Sequence, residues 1–406
     1  MVKYRSGGIR PAPWRGAGSA VRLVPWVLAL AIASAGPAAY AAMATCGKTA
    51  QSDKIWKDMI AAAQKEGVLS VAASGQRNYT PVYNHFSKKF GIKVVISYGG
   101  GRQHATRILA ERSGGIYAVD VGHVGGNTVN RRLIPNGAVA PIADYLVAPQ
   151  VTNTSCWYGQ QLWFVDKQQK HSFVHSADFT TAVNMFINTK SVTDVDLAAL
   201  KSPDDLFKDR WKKKIVALSP MEGQSGNSYF RYGVLPTMGP RWMKRFVQDG
   251  YVEFQSRSKL IEDGLARGKY HLAIFPYARP LAKMEKQGLP VKQIWHEFEG
   301  ADGIMTAGST AQAVQVYDRA PHPNAAKLFV NWLASQDGQT FIHDNLKGGG
   351  DPRNSLRVDV PKTNVDPETL PKKGVKYFPI DLQPKYQGQR KAIMKQIQDW
   401  YKEKYK

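Results

Sequence analysis

Between Val68 and Asn127 the chain repeats one pattern three times: a short apolar run, a glycine-bearing turn, then a stretch with helical spacing. Val68–Ala73 leads into Ser74-Gly75, Lys93–Tyr98 into Gly99-Gly100-Gly101, and Ala118–Val121 into Gly122 and Gly125-Gly126. Helices are expected after these turns, over about 80–90, 102–112 and from Asn127. Parallel strands need crossover connections, so strand–turn–helix in series predicts βαβ units and a mostly parallel sheet. An amphipathic helix over Ser52–Glu66, with Ile55, Met59, Ile60 and Ala63 at helical spacing, precedes the first strand.

A second α/β block follows. Strands are expected at 182–187, 214–218 and 271–275, with helices at 202–206, through Tyr232, and at 259–267. Beyond about residue 305 the chain is expected to return to the first block through a strong helix over 324–335, where Ala325, Leu328, Phe329, Trp332 and Leu333 share one face. The division expected is 45–181 with 306–406 as one lobe and 182–305 as the other, the crossings lying near Thr181–Met185 and Met305–Ala311. Gly348–Gly374 is rich in Gly, Pro and Asp and reads as irregular loop. Lys212–Lys214 and the lysine-rich tail from Lys385 read as solvated faces.

The N-terminus reads as a targeting segment. Lys3, Arg5, Arg10, Arg15 and Arg22 put five positive and no negative charges on residues 1–22, and Leu23–Ala35 is an apolar run of 13 residues. A membrane span needs about 20 such residues. Ala39-Tyr40-Ala41 and Ala42-Met43-Ala44 both fit a small-residue cleavage site, so a secretory signal peptide over 1–44 is expected, cut after Ala41 or Ala44. That places the mature chain in the periplasm, an oxidising compartment where its two cysteines, Cys46 and Cys156, can pair; two buried thiols are the alternative. Losing the five basic residues of the segment takes the formal charge from +23 to +18. Such a field draws anions and anionic surfaces. Nucleic acid is not expected as a partner outside the cytoplasm, and the chain is expected to be a monomer.

Enzyme signatures fail on inspection. Gly223–Asn227 lacks the last glycine of a nucleophile elbow. Gly47-Lys48-Thr49 lacks the first glycine of a phosphate loop, and Gly99–Gly101 lacks the third of a dinucleotide fingerprint. His171 and His175, four apart, could share a helix face as a metal pair; surface or turn positions are the plainer reading. What remains is a set of strand exits. In open α/β sheets ligands bind beyond the carboxyl ends of strands, where helix N-termini present free N–H groups. The candidate binding residues are therefore Ser74, Gly75 and Arg77; Gly100, Gly101 and Arg102; Gly125 and Asn127; Gln224 and Ser225; and Tyr277 and Arg279. Each loop alone is also consistent with an ordinary βα turn.

Three further segments carry a family resemblance: Phe186-Ile187-Asn188-Thr189-Lys190, Ser202-Pro203-Asp204-Asp205-Leu206 with Trp211–Ile215, and Pro321–Leu333 followed by Asp337-Gly338-Gln339. In this order and spacing the chain resembles the periplasmic solute-binding proteins of bacterial ABC transporters, in the type II group that includes the ferric-iron binders. Lys213 stands where the group usually has glycine. The resemblance implies an α/β, two-lobed periplasmic-binding-protein type II fold, with a hinge between two mixed or parallel sheets flanked by helices. It also implies capture of a small solute by hinge closure and delivery to an inner-membrane ABC permease, without catalysis, cofactor or metal. Iron-binding members carry two adjacent tyrosines after the strand matching Leu272–Phe275; here Phe275-Pro276-Tyr277-Ala278 offers only Tyr277. Ferric iron wants several hard anionic oxygens. An organic acid, phosphate or phosphonate, clamped by Arg77, Arg102 and Arg279, is the favoured solute. A ferric-iron binder, a sensor-coupled binding protein and an exported hydrolase or lyase are the alternatives.

Overall fold

The computed structural model describes Cys46 and residues 50–74, 79–222, 226–307, 312–346 and 354–405. The expected signal peptide, Gly75, Arg77, Gln224, Ser225 and the Arg279 side chain lie outside the described residues.

The first sheet contains β1 (Val68–Ser74), β2 (Lys93–Gly99), β3 (Val121–His123), β4 (Trp163–Phe164), β5 (Ser172–Val174) and β13 (Ala313–Val316), in the spatial order β2-β1-β3-β13-β5-β4. Only the β2-β1-β3 half is parallel. The returning strand β13 runs antiparallel to both β3 and β5, so the expected mostly parallel sheet is mixed. The third strand starts at Val121, later than its apolar pattern predicts, because Asp120 turns inward. Its carboxylate accepts from Ser70 N (2.7 Å) and His322 N (2.7 Å), and His322 Nδ1 lies at 2.9 Å. A buried carboxylate needs such partners.

The helices fall close to expectation, at Ala50–Glu66, Thr80–Phe90, Gly101–Ser113 and Pro323–Ala334. Tyr83 and Phe86 meet Leu328, Phe329 and Trp332 in one core with Leu69 and Val71. Glu66 stabilises the start of the helix at 323 across the interface, accepting from Asn324 N (3.1 Å), Asn324 Nδ2 (2.6 Å) and Ala325 N (2.7 Å). These are amide donors that the helix itself leaves open. A Cys46–Cys156 disulfide fastens the entry to this body, with Cα atoms 5.4 Å apart.

The second sheet contains β7 (Ala182–Asn188), β8 (Ile215–Leu218), β9 (Val252–Gln255), β10 (Leu272–Ile274) and β11 (Val291–Glu297), in the order β11-β7-β10-β8-β9. Its core includes Met185, Ile187, Trp242, Phe246 and Ile274. The helix Pro384–Lys404 lies on this body through Ile393, Met394, Ile397, Trp400 and Tyr401. The C-terminal segment therefore does not all join the first lobe. The apolar stripe at 393, 394, 397, 400 and 401 is the reason: one face of the lysine-rich helix is solvated and the other is packed.

The chain leaves the first sheet through β6 (Asp178–Thr180) and returns through β12 (Gly303–Thr306). The two crossings pair antiparallel, Thr180 opposite Ile304 and Asp178 opposite Thr306. A short strand β14 (Tyr377–Phe378) flanks β12. The paired segments lie a few residues before the crossings expected from sequence.

Candidate functional site

Register aligns the exits of the first sheet. Ser74 pairs with Gly99 and Ala73 with His123, so the loops after β1, β2 and β3 leave from one edge. A side chain at Gly101 would meet Thr128 Oγ1 at 3.0 Å and Ser74 Oγ and Val124 Cγ1 at 3.5 Å. The missing Cβ lets three exits close on one spot. Gln315, fully buried, clamps the third exit: its Oε1 accepts from Val124 N (3.0 Å) and its Nε2 donates to Val124 O (3.1 Å). The Ser74 hydroxyl is buried and has no hydrogen-bond partner among the described residues. A buried hydroxyl without a partner is costly. Gly100 caps the helix Gly101–Ser113 in extended conformation, leaving the first amides of that helix open along this edge.

The second sheet repeats the device. β8 and β10 are parallel and in register, Ala217 opposite Ile274, so their exits share an edge. There the helix Gly226–Val234 begins, and Phe275 adopts φ 54°, a left-handed conformation unfavourable for a bulky residue. Such strain costs on the order of 1–3 kcal/mol and collects at functional sites. It aims the Phe275 ring against Tyr232 (centroids 5.0 Å, interplanar 19°) and Tyr229 (5.2 Å). Burial pushes the Tyr232 hydroxyl up to about 12, so it is neutral at any working pH.

Between this edge and the crossing strands lies a cavity of about 400 Å³. Its walls are Ser228, Arg231 and Tyr232 from the helix, Phe275 and Pro276 from the β10 exit, Asn184 and Trp295 from β7 and β11, and Asp178, Thr180, Ile304 and Thr306 from the crossings. Asp366, Glu368 and Thr369, from the irregular C-terminal segment, close it on one side. This size suits a small organic ligand. Arg231 is held by Asp381, with Nε at 3.1 Å and Nη2 at 2.6 Å from Oδ2. Arg390 of the C-terminal helix lies over Phe230, its Cζ 4.9 Å from the ring centroid. Burial lowers the Arg390 pKa, and the like charges of Arg131 and Arg231 lower it further, against Asp381. Arg131 follows the third exit of the first body.

Of the residues expected at the site, Ser74, Gly100, Gly101, Gly125 and Asn127 stand along the first edge. Arg102 is exposed at its helix start. Tyr277 caps the helix after β10 and is 41% exposed; it does not line the cavity, whereas Phe275 and Pro276 do. Sequence reasoning missed Asp178, Arg231, Tyr232, Trp295, Asp366 and Glu368. The crossings themselves were the available signal, because residues on them lie between the bodies wherever the chain changes sheet. His171 and His175 are neither exposed nor on a helix. They flank β5, buried, with His171 Nδ1 at 3.3 Å from Asp166 and His175 Nδ1 at 3.2 Å from Gln339 Nε2. Among the described residues no three His, Cys, Asp or Glu side chains group closely enough to hold a metal ion.

A family model described as bacterial extracellular solute-binding protein matches residues 68–345. No curated protein matches the chain. Among solved structures, Trichodesmium IdiA (FutA), in complex with iron and citrate, is similar at 18% identity and a TM-score of 0.55, covering 82% of this chain and 99% of its own. An extracellular solute-binding protein of Bordetella parapertussis is similar at 14% identity and 0.52, covering 84% and 99%. The spermidine/putrescine substrate-binding protein PotD of Streptococcus pneumoniae is similar at 12% and 0.50, covering 82% and 99%. These likenesses establish the fold; their named ligands differ in chemistry.

Proposed function

Because this chain belongs to the family of bacterial extracellular solute-binding proteins, we propose that it captures one small solute between its two α/β bodies, outside the cytoplasm, and hands it to an ABC permease. The fold is the two-lobed type II arrangement of periplasmic binding proteins. The observation that carries the reading is the cavity where β6 and β12 cross, since residues from both crossings and from the second-body exits converge there. Closure about the paired crossings would bring the first-body edge, with its Ser74 hydroxyl unpartnered among the described residues and its open helix amides, onto the solute.

An anionic head group fits that edge: the amides of the helix start carry partial positive charge, and Arg131 follows the neighbouring exit. An organic acid, phosphate or phosphonate would supply such a head. The residues named here bind and enclose the solute.

Thermal-shift and calorimetric screening of the mature protein against organic acids, phosphate, phosphonates, sugar phosphates and ferric iron tests the reading. A ligand at about 100 times its Kd adds about 2.7 kcal/mol, which raises Tm by several degrees in a protein of this size. Phe275→Ala should weaken binding of the hit. A screen in which nothing raises Tm would overturn the proposal.

A further inference from the structure

In a chain with 55 basic and 32 acidic residues, the cavity at the crossing strands inverts the balance. Its ionisable lining is Asp178, Asp366 and Glu368 against Arg231, whose guanidinium is already engaged by Asp381, with the neutral Tyr232 beside it. Asp178 accepts from Gln312 Nε2 (3.1 Å), Asp366 accepts from Glu368 N (3.0 Å), and Glu368 lies 3.5 Å from Lys372, which also pairs with Glu297. Aromatic side chains line the same cavity. Trp295 is 49% exposed on the edge strand β11, opposite Asn184, and lines the same space with Tyr232 and Phe275. A large indole left open in a concave site is a surface awaiting a partner.

Aromatic faces and carboxylates together recognise an organic cation: the ring quadrupole attracts an ammonium, and the carboxylates set the sign of the field. Among the described residues the carboxylates, Asp178 on a crossing and Asp366 and Glu368 on one side, do not group as metal ligands would. That favours a bulky ammonium over a metal ion. Resting on the interlobe reading above, we propose that the solute is a zwitterion. Its anionic head meets the first-body edge, and its ammonium group sits in the Asp178–Asp366–Glu368 cavity against Trp295.

The test uses isosteric pairs that differ only in the cationic centre. Glycine betaine is compared with 3,3-dimethylbutanoate, 2-aminoethylphosphonate with propylphosphonate, and γ-aminobutyrate with pentanoate, by calorimetry on the mature protein. In a pair that binds, the ammonium member is expected to be about tenfold tighter, the scale of one desolvated cation–π contact. It should also change the Trp295 emission. Trp295→Ala, and Asp366→Asn with Glu368→Gln, all at exposed positions that leave the core intact, should each shrink the preference severalfold. Equal affinities within a pair, or a preference untouched by these substitutions, overturn the inference. So does a nitrogen-free anion from the general screen that binds the wild type and these variants alike, although that result leaves the interlobe reading standing. A protein that binds nothing removes both.

Discussion

At the scale of single residues, the first body is built on polar groups whose burial leaves a chemical signature. His123 and His175 are fully buried, their Nε2 atoms have no partner among the described residues, and burial lowers both pKa values from 6.5 to about 3. Only the unfolded chain binds these protons between those limits. The stability they contribute is therefore complete above pH 6.5 and is lost as pH falls toward 3. Each costs about 1.4 kcal/mol per pH unit, about 2.7 together. Urea unfolding at pH 7.5, 6 and 5 should show stability falling with pH, and His175→Gln should remove about 1.4 kcal/mol per pH unit of that fall; a slope that His175→Gln leaves unchanged contradicts the burial. The placement of Ser74 and Gly101 at strand exits was legible in the sequence, because an apolar run ending in small residues before a helical stretch marks a βα turn. Asp178, Trp295 and Glu368 were not, because their roles come from elements far apart in the chain. Gly101→Val places methyl groups among Thr128, Ser74 and Val124. It should lower solute affinity at least tenfold, with a stability cost of about 1–3 kcal/mol from overpacking. An unchanged Kd by calorimetry separates Gly101 from the site.

At the scale of elements, helices were legible to within a residue or two where a stripe of apolar residues met a clear stop. Thr80–Phe90 ends at Gly91 in left-handed conformation, and Pro323–Ala334 starts with proline in its first turn. The third strand shifted because Asp120 is bonded inward, something an apolar pattern does not report. The C-terminal helix was the larger miss: its lysines dominate the composition while a narrower stripe decides the packing. Ile397 is 1% exposed within the second-body core. Ile397→Ala should therefore destabilise the protein by about 2–5 kcal/mol, the usual cost of truncating a fully buried aliphatic side chain. A urea midpoint shifted by less than the error would mean that this helix does not belong to the second body.

At the scale of the whole molecule, two α/β bodies are joined by a pair of hydrogen-bonded crossing strands and a C-terminal strap that runs from the first body to a helix on the second. The bodies differ in how they are secured. Only the first has a covalent tie, the Cys46–Cys156 bond, which closes a loop spanning 110 residues of sequence. Loop-entropy arguments allow it up to about 4–5 kcal/mol, with the split between entropy and enthalpy dependent on the model. Replacing both cysteines by serine should lower the stability of the first body by a few kcal/mol and leave solute affinity within about threefold, because neither cysteine lines the cavity at the crossing strands. The closure proposed above would be a rearrangement between bodies whose cores do not change. Ligand addition should therefore reduce the radius of gyration measured by small-angle X-ray scattering while the far-ultraviolet circular dichroism stays constant. The paired segments, Asp178–Thr180 and Gly303–Thr306, are short, and Gly303 has no room for a side chain beside the Tyr377 ring. Gly303→Val should therefore disturb the crossing and weaken both the scattering change and the affinity. A variant that binds normally and still contracts would place the pivot elsewhere, and a wild type that binds without contracting would show that the solute is taken up by bodies already closed.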